Sequence, residues 1–357
     1  MDNWYLVRLD LGQNVAHFGQ VGIGLEETGD RLPSDSLFSA LISTYARIYP
    51  DNLEELFSQL NSPNPPFRHS STFIYLRNKD QYRYYLPKPL PFPRNYEEHE
   101  KNNISLTKAY KKFTYLPLEI WQRWYQGEGF TKQDQKDILA NDRNQSSSKN
   151  KLKQLGLFDY GKTHETAKLP KVSLDRTTQA SNFYHTKVVQ FQSEPEKQAG
   201  LYFLLHFAQA NPELISQLKT VLHVLADEGI GGERSSGAGR FTLDWEELPK
   251  AWESLLQFKN GNAHSLLSLF WSNQQEELSR IDENARYEFQ ERGGWVSSSP
   301  TGIQQRRKKV RMFSEGSVFA FPPQGRLADV TPPNFSSHPV YRSGLALSLP
   351  IYVEPSS

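Results

Sequence analysis

Apolar side chains change their period along the chain, and those changes outline the elements. Tyr5, Val7 and Leu9 alternate with polar neighbours, which predicts a strand near the start. A loop follows that holds Gly12, Gly19, Gly22, Gly24 and Gly29. The period then becomes helical. Leu37, Leu41, Tyr45 and Tyr49 recur every fourth residue with Phe38, Ile42 and Ala46 beside them, so an amphipathic helix starts near Ser34 or Asp35. Leu53 to Leu60 reads as a second helix, broken by Asn61-Ser62-Pro63-Asn64-Pro65-Pro66. Thr72 to Arg77 and Tyr82 to Leu86 pair as a hairpin around Asn78-Lys79-Asp80, and prolines at 87, 89, 91 and 93 forbid a central strand beyond it. Residues 141–170 are polar and rich in Ser and Lys, the pattern of a mobile insertion or linker.

The second half repeats these signals. Asn182 to Gln192 and Gly200 to Phe207 are strand-like. Asn211-Pro212-Glu213 opens a helix with proline in its first turn. Leu214, Ile215, Leu218, Val221, Leu222 and Leu225 keep helical spacing, and Gly229 suits the C-cap. Arg240 to Trp245 is the next strand. Shorter candidates are Tyr287 to Glu291, Trp295 to Ser299, Val310 to Phe313, Ser317 to Phe321 and Leu345 to Ile351, with turns at Gly293-Gly294 and Glu315-Gly316. Strand, loop, helix and further strands thus occur twice, as in a duplicated split βαβ unit. The class is α+β, with antiparallel sheets covered by helices.

Composition narrows the chemistry. At 357 residues the chain is long enough for two domains, and 41 Lys+Arg offset 40 Asp+Glu, so any nucleic-acid site must be a local patch. The absence of cysteine excludes disulfides, thiolate zinc sites and a cysteine nucleophile. The opening Met1-Asp2-Asn3-Trp4 lacks the basic and apolar regions of a signal peptide, and no run approaches the ~18 apolar residues of a membrane span; a cytoplasmic, membrane-free chain is expected. Catalytic groupings are scarce. There is no His-Glu-x-x-His and no His-Asp dyad, and Glu26-Glu27 and Glu54-Glu55 are adjacent pairs that point apart. No cofactor and no metal are expected.

The most informative stretch runs from Asp227 to Phe241. Gly229, Gly231, Gly232, Gly237 and Gly239, with Ser235, Ser236, Arg234 and Arg240, join a helix end to a strand start. Glycines let a ligand approach the backbone, successive amides can form an anion nest, and the hydroxyls and guanidiniums add phosphate donors. Gly232 and Gly237 have P-loop spacing, but Ala238-Gly239 stands where Lys and Ser/Thr are required, and helix-to-strand is the wrong order. A dinucleotide fingerprint fails as well, because Thr242 occupies the third glycine position.

Gly231-Gly232-Glu233-Arg234-Ser235-Ser236-Gly237-Ala238-Gly239-Arg240-Phe241 resembles the glycine-rich loop of RAMP proteins, the repeat-associated CRISPR family. The Pro33 to Leu41 helix start resembles a second signature of that superfamily. Arg311 to Phe319 and Ser343 to Leu347 are similar to one subgroup, which caps the 5′ end of the guide RNA in type III-A (Csm) interference complexes. The resemblance spans about residues 5–350, while region 95–170 matches nothing in it. It implies two ferredoxin-like (RRM-type) folds. Residues 1–180 would form the N-terminal unit with an insertion around 95–170, and residues 181–357 the C-terminal unit carrying the glycine loop 229–240. It further implies binding of the crRNA 5′ tag, contact with the large polymerase/cyclase-like subunit and a backbone RAMP subunit, and no catalysis.

Other residues join this expectation. A helix N-terminus with Ser34 and Ser36 offers amides and hydroxyls to a phosphate, with Asp35 as its cap. His17 lies on the loop between first strand and helix, where processing endonucleases of the superfamily can carry a general base; the alternative function is therefore a metal-independent endoribonuclease acting on precursor RNA. Val172 to Thr178 is similar to the segment from which RAMP proteins extend a β-hairpin over the guide. Arg176 could clamp a phosphate there, and Thr177 and Thr178 could supply hydroxyls. Asn182-Phe183-Tyr184-His185 offers rings for base stacking, although core packing is the commoner fate of such residues. Arg306-Arg307-Lys308-Lys309-Val310-Arg311 is a dense basic run, suited to RNA or to protecting an edge strand.

Overall fold

Strand β1 (Trp4–Asp10) leads through the glycine-containing loop into helix α1 (Ser34–Ile48), and the chain returns as strands β2 (Phe73–Asn78) and β3 (Gln81–Pro87). A long ribbon, β4 (His164–Leu174) and β5 (Ser181–Phe191), precedes β6 (Lys197–Phe207), helix α2 (Pro212–Glu228) and β7 (Thr242–Glu247). The main sheet is antiparallel and runs β7-β1-β6-β2-β3, ending on Tyr115–Pro117. Its central unit is therefore β1-α1-β2, then β6-α2-β7, with the fourth, first, third and second strands side by side. In this computed structural model the described residues are 3–19, 27–96, 104–145, 147–175, 177–178, 180–296 and 305–354.

The α+β expectation holds. The two strand–helix halves, however, meet in one sheet: β6, from beyond residue 180, pairs β1 from Trp4↔His206 to Leu9↔Leu201 and β2 from Lys197↔Asn78 to Tyr202↔Phe73. The sheet thus crosses the expected boundary between residues 180 and 181. The physical reason is burial on both faces of β6. Leu201, Phe203, Leu205 and Phe207 point into a core shared with α1 and α2, while Tyr202 and Leu204 point into a second core on the opposite face.

Helix α1 contributes Leu37, Phe38, Leu41 and Tyr45 to the first core, and α2 contributes Leu214, Leu218, Val221, Leu222 and Leu225. Asn211 caps α2 by accepting the Leu214 amide at 3.0 Å, Pro212 occupies its first turn, and Gly229 ends it at φ +89°. The second core is built largely by the region the sequence left unassigned. Leu106, Tyr110, Trp121, Trp124, Tyr125 and Phe130 lie in it, beside Trp252, Leu349 and Ile351. Residues 141–170, expected as a mobile linker, instead hold a short helix (Lys151–Gln154) and most of β4, and bury Leu152 and Leu157. Leu155, Phe158 and Tyr160 pack beside these two, so a few apolar anchors fold an otherwise polar stretch onto the cores.

Beyond Glu247 the chain forms small antiparallel sheets. Ala263–Leu266 pairs with Val318–Phe319 and Ser348–Ile351, and Phe289–Arg292 pairs with Val310–Phe313. The helices described there, Glu253–Leu256 and Gln275–Leu278, have four residues each, so the described part of this module lacks the long helices of a repeated βαββαβ unit. No described helix is long and apolar enough to cross a membrane.

Candidate nucleic-acid interface

The glycine loop bridges α2 and β7. The register pairs Asp10 with Thr242, so the loop after β1 and the glycine loop leave the same end of the sheet. Two glycines are required sterically. Gly229 (φ +89°) faces the Ala238 carbonyl and Gly239 (φ +77°) the Ile230 carbonyl, each too close for a Cβ. Between them the chain folds back on itself. The Ile230 amide donates to Gly239 O at 2.9 Å, the Gly239 amide to Val15 O at 2.8 Å and the Gly232 amide to His17 O at 2.8 Å.

This geometry narrows the expected nest. The amides of Gly232, Ser236, Gly237, Ala238 and Gly239 are committed to protein carbonyls. Those of Glu233, Arg234 and Ser235, at the start of a 3-10 turn (Arg234–Ser236), meet no backbone acceptor among the described residues. Glu233 enters that turn in the left-handed region at φ +59°. The side chains of Arg234, Ser235, Ser236 and Arg240 are exposed, while Gly231, Gly232 and Gly237 are half-buried and Gly239 is buried. The arrangement offers consecutive donors and two guanidiniums to an oxyanion on the outer rim of a rigid turn.

His17 is a strut under this loop. It is 4 % exposed, its backbone bridges Gly232, and its Nδ1 lies 2.7 Å from the Lys187 carbonyl of β5. A Cβ at Gly232 would stand 2.7 Å from its ring. A presented general base or an RNA-touching ring, as expected from its place in the sequence, is therefore not what the fold builds there. Packing under Gly232 takes the imidazole out of solvent.

The β4–β5 ribbon is paired along its whole length, from His164↔Phe191 to Leu174↔Ser181. Lys171 ties it to the glycine loop, binding the Glu233 carboxylate and donating to Ser236 Oγ at 3.0 Å. The Lys171 hydrogen bond holds the Glu233 carboxyl below its usual range, outweighing the opposing effect of partial burial. At the ribbon tip, Asp175 accepts the Thr177 amide at 2.8 Å and the Thr178 hydroxyl at 2.7 Å, so the Thr178 hydroxyl is already engaged in the turn. Arg176 lies outside the described residues. Phe183 is 60 % exposed, beside exposed Val172 and Leu174 and in edge contact with His185 at 4.8 Å. These side chains face outward, not into a core. Lys171 and Glu233 were not identified from the sequence, because nothing local in β4 signals that it crosses the loop.

The helix start at 34–36 takes a different role from the one expected. Ser34 is buried, its hydroxyl accepts the Leu269 amide at 2.9 Å, and its own amide donates to Ser71 Oγ at 2.8 Å. Asp35, 0 % exposed, accepts Arg292 Nε and Nη2 at 2.9 Å each and also binds Arg342. Ser36 Oγ receives Arg292 Nη2 at 2.9 Å. Groups expected to meet a phosphate thus meet Ser71, Leu269 and Arg292, and the helix start anchors the C-terminal module. Arg31 adds a second anchor through the buried Glu315, at 3.0 and 3.2 Å.

The architecture is α+β, a helix-backed antiparallel sheet whose glycine-rich loop of donors sits beside a projecting ribbon. Residues 259–351 match the CRISPR Csm4 C-terminal domain. The chain is 24% identical to the CRISPR system Cms protein Csm4 of Methanocaldococcus jannaschii, covering 94% of each, and 26% identical to that of Mycobacterium tuberculosis, covering 98% of each. Among solved structures it is similar to a chain of the Csm3-Csm4 subcomplex of the type III-A interference complex (19% identity, 98% of this chain and 100% of that one, TM-score 0.60). It is also similar to a chain of the Csm1-Csm4 cassette with cA4 (17%, 99% and 100%, TM-score 0.58). In sequence and in fold the chain is thus similar to Csm4 proteins over nearly its whole length.

Proposed function

We propose that this protein binds the 5′ tag of the guide RNA in a type III-A effector complex and caps that end of the assembly without chemistry of its own. The observation that carries the reading is the glycine loop itself: exposed Arg234, Ser235, Ser236 and Arg240 around the amides of residues 233–235, held rigid by Gly229 and Gly239 and joined to an outward ribbon by Lys171. Phosphates of the tag would lie on this rim, while the exposed Phe183 end of the ribbon meets bases. By the same reading the β1-α1-β2-β6-α2-β7 unit is a ferredoxin-like fold, and the small sheets described beyond Glu247 belong to a second such unit with shortened helices. Its neighbours are the large polymerase/cyclase-like subunit and the first backbone RAMP subunit, in the cytoplasm. The solved relatives support these partners, having been crystallised as Csm1-Csm4 and Csm3-Csm4 pairs.

The test is the affinity of the full chain for tag-bearing RNA across a salt series. Arg234→Ala with Arg240→Ala weakens binding and makes the log–log salt slope shallower by about 1.4, roughly 0.7 for each single-strand phosphate that the variant leaves unneutralised. Unchanged affinity and slope would overturn the assignment. Repeat RNA incubated with the chain in EDTA stays intact; cleavage that His17→Ala abolishes would instead establish the endoribonuclease.

A further inference from the structure

A second cluster of guanidiniums lies apart from the glycine loop, where the C-terminal module meets the start of α1. Two of them, on Arg292 and Arg342, bind the single carboxylate of Asp35, and Arg307 stands close enough to feel the charges of Asp35 and Arg342. Arg342 spends its terminal nitrogens on Asp35 and on the Gly293 carbonyl. Its Nε and the Nε of Arg307 are enclosed and meet no acceptor among the described residues. Arg307 is pushed down to about 10, first by burial and then by the Arg342 charge, with Asp35 alone pulling the other way. Positive charge is thus enclosed in excess of its counter-charge, an arrangement that costs free energy until an anion enters.

What adjoins this cluster narrows the anion. The Arg307 amide donates to Gly294 O at 2.9 Å, which sets the cluster at the foot of the Trp295–Val296/Gln305–Arg306 hairpin. There Trp295 is 50 % exposed, and the Arg306 guanidinium, its cross-strand partner, lies 4.9 Å from its ring centroid. Lys308 and Arg311 are exposed alongside, while Lys309 is held by Glu291 at 2.7 Å. Half-buried Arg307 beside buried Arg342 lies next to an open indole face, which offers both halves of a nucleotide a place, oxyanion and base. A partner's carboxylate would fill only the first.

We infer that the Arg307–Arg342 cluster takes a backbone phosphate of single-stranded RNA, with an adjoining base stacked on Trp295 under Arg306. The inference shares with the proposed function only the class of ligand, and it does not require the glycine loop to hold that strand. The probe is a fluorescent oligouridine, titrated into the full chain and into three variants: Trp295→Ala, Arg307→Gln, and Arg234→Ala with Arg240→Ala. Trp295 is an exposed side chain and Arg307 carries no hydrogen-bonded acid, so neither change removes a folding contact to Asp35. Trp295→Ala is expected to weaken binding roughly 5- to 100-fold. Arg307→Gln should make the salt slope shallower by about 0.7. Wild-type affinity and slope in both variants would overturn the inference, and a weakening confined to the Arg234/Arg240 variant would do so while leaving the glycine-loop reading intact. A wild-type chain that fails to bind the probe, or an Arg307→Gln effect without a Trp295→Ala effect, as a partner carboxylate would give, also overturns it.

Discussion

Asp35→Asn removes one charge and almost no volume, so it isolates the electrostatics that dock the C-terminal module. Asp35 is 0 % exposed and is bound by Arg292 and Arg342, whose side chains are 3% and 6% exposed. The variant leaves these guanidiniums enclosed around a neutral amide. Removing one partner of a buried ion pair costs about 3–5 kcal/mol, because the remaining charge is left uncompensated. In a chain of this size that lowers Tm by about 4–7 °C. The pH dependence supplies a second readout. Burial pushes the Asp35 carboxyl up, but Arg292 and Arg342 together outweigh it and hold it below the ordinary 3.8. A folded pKa below the unfolded one gives stability that is complete above the unfolded value and is lost as pH falls through the folded one. Thermal unfolding of wild type between pH 7 and 3 should therefore show a drop at the acid end that Asp35→Asn makes shallower. A variant with wild-type Tm and an unchanged acid limb would refute the argument that this carboxylate holds the module in place.

Gly239→Ala places a Cβ against the Ile230 carbonyl at φ +77°. It should destabilise the chain by at least about 1–2 kcal/mol in urea unfolding, and RNA binding should weaken with it. Lys171→Ala frees the ribbon from Glu233; stability should change by no more than about 1 kcal/mol, while hydrogen exchange in β4 and β5 rises markedly. His69 is pushed down to about 4 by burial, so between its unfolded pKa near 6.5 and that value the unfolded chain binds a proton the folded chain refuses. Stability should fall by about 3 kcal/mol as pH drops through that window, and His69→Leu, which packs among Phe38, Phe67 and Phe203, should remove that part of the slope in a pH series of unfolding curves.

The elements of the central sheet were legible because each buries one periodic face: β1, α1, β2, β3 and α2 fall where alternation and helical spacing put them, and Asn211, Pro212 and Gly229 punctuate α2 as expected. Their assembly was not legible. A βαβ half looks the same whether it pairs with its own copy or completes another sheet, and only the two-sided burial of β6 decides. The aromatic-rich region before β4 gave no strand or helix period strong enough to read, yet it supplies Trp121 and Trp124 to the second core. At the site, residue types foretold the glycine loop and its exposed Arg234 and Arg240. They could not foretell that most loop amides close on neighbouring carbonyls, that His17 is sealed beneath Gly232, or that Ser34 and Asp35 face inward to meet Leu269, Arg292 and Arg342. The burial of His17 under Gly232 and of Ser34 and Asp35 against Leu269, Arg292 and Arg342 depends on partners more than 200 residues away in the chain.

Photocrosslinking from the nucleic acid addresses the central claim most directly. A guide RNA carrying 4-thiouridine in its 5′ tag, assembled with the full chain and its two partner subunits, should crosslink to peptides spanning Gly231 to Arg240 and to the β4–β5 ribbon. Tag crosslinks falling entirely on other surfaces, with the glycine loop unlabelled, would contradict it.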